Sequence, residues 1–355
     1  MNINLKKFLL FLCLLLSLTI IITACGGAKE PAPSPQPTEN KNESKETKDP
    51  RADWPSTLDL GAASIGGAYY VYAGGISTIL EEIVGIPTGV EVTGGPNHNM
   101  QLVDIGDLDL GLVTMGPAYE AWNGLEDWTG GKQHRNVRAI FPMYSTYSQW
   151  WAEKGSGITS IHDLEGKRVG AGPSGGTAGT FHPRFLELLG IKTTIVNAGL
   201  SDLVSQHLDK QLDANSFASG VPVAGVLEYS AQKETVMFGI DGEDRDKILA
   251  QWPFWSKAVI PADKYDFLDK DLETVAIWNV AIANKDLPES LVYEIVKAIM
   301  ENNKMMLDAH SAAAETVPQN VGGNTFMWMH PGAIKYFEEI GVKINPDLYP
   351  PEYKK

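Results

Sequence analysis

The chain has 355 residues, with 29 Lys and Arg against 44 Asp and Glu, a formal charge of −15. An acidic chain speaks against a nucleic-acid partner, because neutralising phosphates needs a basic face. Its length past the N-terminal region, roughly 300 residues, suffices for two packed domains.

The chain opens as an export signal. Lys6 and Lys7 are the only charges before an apolar run from Phe8 through Ile22, the pattern of a basic stub and short apolar segment. The run ends at Ile22-Thr23-Ala24-Cys25, a sequence that resembles the bacterial lipobox, whose cysteine is diacylated and becomes the mature N-terminus. We therefore expect residues 1–24 to be a lipoprotein signal peptide and Cys25 to carry a two-chain lipid anchor, which holds a membrane stably. Loss of Lys6 and Lys7 takes the charge from −15 to −17. Cys13 leaves with the signal, so an acylated Cys25 frees no thiol for a disulfide, a metal or catalysis. Residues 25–53 read as a disordered tether. Pro31, Pro33, Pro35, Pro37 and Pro50 stand among polar residues with no large apolar side chain, and such a segment cannot offset its ordering entropy. As a coil it reaches about 30 Å.

Strands and helices then alternate. Residues 58–63 read as a strand, followed by a helix from about Tyr69 to Ile83. Residues 90–92 and 108–114 are further strands. Residues 167–171 make another, leading through a glycine-rich turn to a helix ending near Leu189-Gly190. Pro288 stands where a helix begins. Behind it Leu291, Val292, Ile295, Val296, Ile299 and Met300 form one apolar stripe at helical spacing. The alternation predicts an α/β fold with largely parallel sheets.

Two glycine-rich turns lie between strand and helix. They are Gly61-Ala62-Ala63-Ser64-Ile65-Gly66-Gly67-Ala68-Tyr69-Tyr70 and Gly172-Pro173-Ser174-Gly175-Gly176-Thr177-Ala178-Gly179. Glycine allows close approach of the backbone to a ligand, and the first helical N–H groups have no partner within the helix. Such a terminus is an anion site, and in open α/β sheets ligands bind beyond the carboxyl ends of the strands. A third turn-rich segment, Thr93-Gly94-Gly95-Pro96-Asn97-His98-Asn99, offers neutral amides, with Asn97 expected as a helix N-cap. The tryptophans (Trp122, Trp128, Trp150, Trp151, Trp252, Trp255) are expected in core or interdomain packing, with one or two walling the cleft.

Enzymatic readings are weaker. Gly172-Pro173-Ser174-Gly175-Gly176 fits the G-x-S-x-G elbow of a serine hydrolase, with Ser174 as nucleophile and His310 or His330 as base. That short pattern arises readily among 35 glycines. The seven histidines are scattered, with no His-x₃-His pair, so neither a metal nor a cofactor is expected. The first glycine turn lacks dinucleotide spacing, and no P-loop is present.

Many short segments in order resemble one family, the TAXI-type substrate-binding receptors of tripartite (TRAP) transporters. The likeness runs from about Leu58 to Gly341. It begins with Gly61-x-x-Ser64-x-Gly66-Gly67-x-Tyr69-Tyr70 and Gly74-Gly75, then Thr93-Gly94-Gly95 with Asn99, and Asp109-Leu110-Gly111. Asp163-Leu164-Glu165-Gly166-Lys167-Arg168 precedes the second turn. Asp213-Ala214, Gly220-x-Pro222 and His330-Pro331-Gly332-Ala333 follow. The resemblance implies a bilobal, Venus-flytrap binding protein, periplasmic-binding-protein-like and without catalysis. It would capture a small organic anion, a carboxylate or an amino acid such as glutamate, and deliver it to the TRAP permease subunits. Here Pro173-Ser174-Gly175-Gly176-Thr177 shifts the family's turn hydroxyl by one position. Pro96 and Thr114-Met115-Gly116-Pro117 replace more polar residues, which points toward a ligand less polar than glutamate. Lobe one is expected at 54–149 plus 258–355 and lobe two at 150–257. Ligand contacts are expected from Ser64, Gly66, Gly67 and Tyr69, from Thr93, Asn99 and Thr114, and from Ser174, Gly175, Gly176 and Thr177, with Pro222 shaping the site.

Overall fold

The structure is a computed structural model and describes residues 51–354. The expected signal peptide, the lipidated Cys25 and all of the expected tether except residues 51–53 lie outside the described residues. Among the described residues, ten strands form one mixed sheet: β1 (Leu58–Gly61), β2 (Thr88–Glu91), β3 (Leu110–Thr114), β4 (Val137–Glu153), β5 (Arg168–Gly170), β6 (Thr194–Val196), β7 (Ala214–Ser219), β8 (Thr235–Phe238), β9 (Trp255–Ile260) and β10 (Leu272–Asn284). The main path runs β2-β1-β3-β10-β4-β7-β5-β6, with β8 on β4 and β9 on β10.

The sheet has two parallel wings and an antiparallel middle. One wing pairs β1 with β2 and β3, the other pairs β5 with β6 and β7, all parallel. Two long strands join them. The first half of β4 pairs antiparallel with β10, and its second half is flanked by β7 and β8. Strand β10 pairs with β9 early and with β3 late. The expectation of largely parallel sheets therefore holds for the wings only. A strand crossing from one wing to the other must run against its neighbours, as β4 does at 17 residues, about 55 Å long.

Helices cover the wings. Helix α1 (Ala68–Ile79) ends in a π-helical turn, Leu80–Val84. Helices α2 (Pro96–Ile105) and α3 (Met115–Asn123) flank β3 in sequence, α4 (Thr177–Leu188) follows β5, and α5 (Leu200–Leu208) precedes β7. Beyond them come α6 (Ala224–Ser230), α7 (Gly242–Gln251), α8 (Glu289–Glu301), α9 (Asn303–Ala309) and α10 (Pro331–Glu339). Pro288 is the N-cap of α8 rather than its first residue, and the predicted stripe Leu291, Val292, Ile295, Val296, Ile299 and Met300 is buried. Gly75 lets α1 lie close to α9, where a Cβ would come within 2.8 Å of the Ala309 side chain.

The main core is continuous across both wings, and a second cluster around Trp151, Phe217, Tyr229 and Tyr265 fills the space beside β7. Neither Trp150 nor Trp151 is exposed to solvent.

Candidate functional site: four helix N-termini around one cavity

The carboxyl ends of β1, β3, β5 and β7 converge on a cavity, represented by Ser64, Thr114, Gly172 and Ser219 in its wall. Both glycine turns reach it. It is nearly filled: about 30 Å3 is open to the centre of a water molecule, room for roughly two waters.

Four helices begin in its wall. Gly67 is the N-cap of α1, Gly95 of α2, Thr114 of α3 and Gly176 of α4, and in none of the four does the N-cap residue's own side chain accept from the first turn. The first N–H groups of a helix have no intrahelical partner, and each N-terminus acts as about +0.5 charge. Some of these donors are used: the Ala68 N–H donates to Ser219 Oγ at 3.1 Å. The rest of the wall is neutral. Hydroxyls of Ser64, Thr114, Thr146, Thr177 and Ser219 alternate with small apolar side chains and the Phe217 ring, and no charged side chain lines it. Ser64 is 6% exposed and its Oγ has no hydrogen-bond partner.

Contacts between the wings cross beside the cavity, joining the 93–99 segment and the start of α3 to the second glycine turn and α4, and the first glycine turn to α6. Thr114 Oγ1 and Thr177 Oγ1 share a hydrogen bond of 2.8 Å. The Asn97 N–H donates to the Gly175 carbonyl at 3.0 Å, and Asn97 Nδ2 donates to Thr180 Oγ1 at 3.2 Å. The Gly225 N–H donates to the Gly66 carbonyl at 3.3 Å. Gly95 has φ of +103°, and a Cβ there would lie 2.9 Å from Gly176 Cα, so only glycine permits this approach.

Of the residues singled out from sequence, Ser64, Gly67, Tyr69, Thr114, Gly176 and Thr177 line the cavity. Tyr69 is buried, which holds its phenol well above the usual tyrosine range and keeps it a neutral donor to Asn279 Oδ1 at 2.5 Å. The other six stand outside the wall. The Gly66 carbonyl accepts from Gly225 in α6, and the Gly175 carbonyl from Asn97 in α2, as above. Thr93 Oγ1 has one proton to donate, with Asn99 Oδ1 at 2.7 Å and the Ala62 carbonyl at 3.1 Å both within reach. Asn99, fully buried, turns its amide on the Gly61, Ala62 and Leu112 carbonyls, pinning β1 to β3. Pro222 lies three residues past the wall residue Ser219. Asn97 sits in the first turn of α2 rather than capping it, because Gly95 holds the cap and Pro96 the first position.

Ser174 is exposed, and among the described residues no histidine hydrogen-bonds it. His310 Nδ1 accepts from the Ala312 N–H, and His330 Nδ1 accepts from the Gly332 N–H at the start of α10. The histidine base that a serine nucleophile needs within reach is not supplied by either. The aromatic wall is Tyr69 and Phe217, and among the described residues no tryptophan lines the cavity. Sequence reasoning missed Thr146, which lies mid-strand in β4, and Ser219, although Ser219 ends a strand just before the Gly220-x-Pro222 signal.

Fold and site together define a bilobal α/β architecture of the periplasmic-binding-protein kind. The chain belongs to the NMT1-like family, whose model matches residues 60–341. Among solved structures it is similar to the periplasmic binding protein BugD at 15% identity, covering 82% of this chain and 99% of that one, with a TM-score of 0.52. It is similar also to MatC from Rhodopseudomonas palustris, solved with malate bound, at 13% identity, 80% and 98% coverage and a TM-score of 0.52. Among the described residues no helix is long and apolar enough to cross a membrane.

Proposed function

We propose that this chain is the extracytoplasmic receptor of a TRAP-type secondary transporter, holding a small organic anion between its two wings and presenting it to a membrane permease. The observation that carries the reading is the convergence of four helix N-termini on one cavity. Dipoles fixed by the fold can compensate an anion without a cationic side chain. Their contribution is larger inside a closed cavity than in water. A binding role also fits the contacts between turns. A ligand touching both wings favours the closed arrangement by its differential affinity for that state, and a permease can read that shift.

The lobes in this reading are the expected 54–149 plus 258–355 and 150–257, with Cys25 as the lipid anchor and residues 26–53 as the leash. The malate in MatC and the family resemblance both support a carboxylate as the ligand. The test is calorimetry and thermal unfolding of the purified body against a panel of carboxylates and their methyl esters. Micromolar binding of an acid, lost in its ester, is expected; binding of neither overturns the receptor reading. Intact-mass analysis of the membrane fraction checks the anchor, since Cys25→Ser should release the protein and abolish the diacylglyceryl mass.

A further inference from the structure

We infer that the cavity selects organic acids that carry no ammonium group, and discriminates against the α-amino acids of the same carbon skeleton. This rests on the receptor reading above and names the class of ligand within it.

An α-amino acid brings a cation as well as a carboxylate, and burying that cation demands an anionic partner or several well-placed acceptors. The wall contains neither Asp nor Glu. It also carries the positive ends of four helices, together roughly +2 by the half-charge rule. An ammonium placed among them meets repulsion with no carboxylate to offset it.

Several acceptors in the wall are already engaged. The Ser64 carbonyl accepts from the Gly67 N–H, and the Pro173 carbonyl from the Gly176 N–H. Thr146 Oγ1 both donates to and accepts from Asn279. What remains are neutral hydroxyls, each with a proton to give and none with a negative charge. Ser64 Oγ is buried without a partner. Ser219 Oγ accepts from Ala68 and keeps its own proton to give, and the Thr114–Thr177 pair uses only one of its two protons on itself. A 2-oxo or 2-hydroxy acid offers only oxygen acceptors, or a hydroxyl that both gives and takes, and it matches this inventory. An ammonium, with three donors and no acceptor, finds only neutral hydroxyls and helix N-termini of its own sign.

The experiment is calorimetric titration of the whole mature chain with matched sets: pyruvate, L-lactate and L-alanine, then 2-oxoglutarate, 2-hydroxyglutarate and L-glutamate. The oxo or hydroxy member of at least one set should bind ten-fold or more tightly than its amino acid. An amino acid that binds as tightly as its deaminated analogue overturns the selectivity while leaving the receptor reading intact. If every acid in the panel binds no better than its methyl ester, both fall together.

Discussion

Arg184 on α4 places Nη1 2.6 Å from Glu120 Oε1 on α3, joining two helices whose N-terminal turns already meet through Thr177 and Thr114. Glu120 is buried, and burial pushes its carboxyl above the usual range against the pull of Trp128 Nε1 and Arg184. The ion pair thus links the two wings beside the cavity. If it forms only on closing, Arg184→Met will weaken carboxylate binding about ten-fold, a loss of about 1.4 kcal/mol from the closed state. Calorimetric affinities of the two proteins check it. Unchanged affinity with a lower melting temperature of the free protein would mean the pair persists in the open state.

A second prediction separates electrostatics from packing. Ala178 lies in the first turn of α4 and lines the cavity. Ala178→Asp puts a carboxylate where the ligand's own would sit. Ala178 is buried, so the α4 N-terminus offsets only part of the cost of burying a carboxylate there, and the free protein should melt below wild type. No carboxylate should then raise its melting temperature. Retained ligand stabilisation would remove α4 from the anion site.

Glycine marked the site in the sequence because it stands where strand becomes helix, and Gly67, Gly95 and Gly176 are the caps of helices that begin in the wall. The long strands left no comparable mark. Strand β4 is buried on both faces for most of its length, so it shows no alternation of polar and apolar residues, and Pro142 interrupts its reading as a strand. With β4 unread, Thr146 could not be placed. Asn99 illustrates the converse: an amide at a strand end serves a ligand or the backbone equally well by type. Only the fold shows three carbonyls converging on it.

That arrangement makes Asn99 a stability residue. Asn99→Leu would remove the two Nδ2 protons shared among the Gly61, Ala62 and Leu112 carbonyls, with Thr93 Oγ1 still able to serve Ala62, at about 1–3 kcal/mol for each group left unsatisfied. Destabilisation of about 3 kcal/mol or more is expected, read as a lower urea midpoint. Affinity of the folded fraction for an acid, measured well below the transition, should change less than two-fold. A loss of affinity with stability unaltered would return Asn99 to the ligand shell.

Stability should also depend on three buried histidines. Burial pulls His182 down to about 3, and His207 and His330 to about 4, below the unfolded value near 6.5. Each is therefore neutral in the folded protein while the unfolded chain takes up a proton as pH falls. Their contribution is complete above pH 6.5 and declines toward pH 4, at about 1.4 kcal/mol per pH unit for each histidine. For His330 the cause is visible. Its Nδ1 accepts from Gly332 at the start of α10, and its Nε2 donates to the Leu287 carbonyl at 3.1 Å, so a second proton would destroy the cap. His330→Asn keeps a capping acceptor and removes the titration. Urea unfolding between pH 7.5 and 5 should then show a slope shallower than wild type by about 1.4 kcal/mol per pH unit below pH 6.5. Parallel slopes for the two proteins would show that His330 is protonated, and its cap broken, in the folded state.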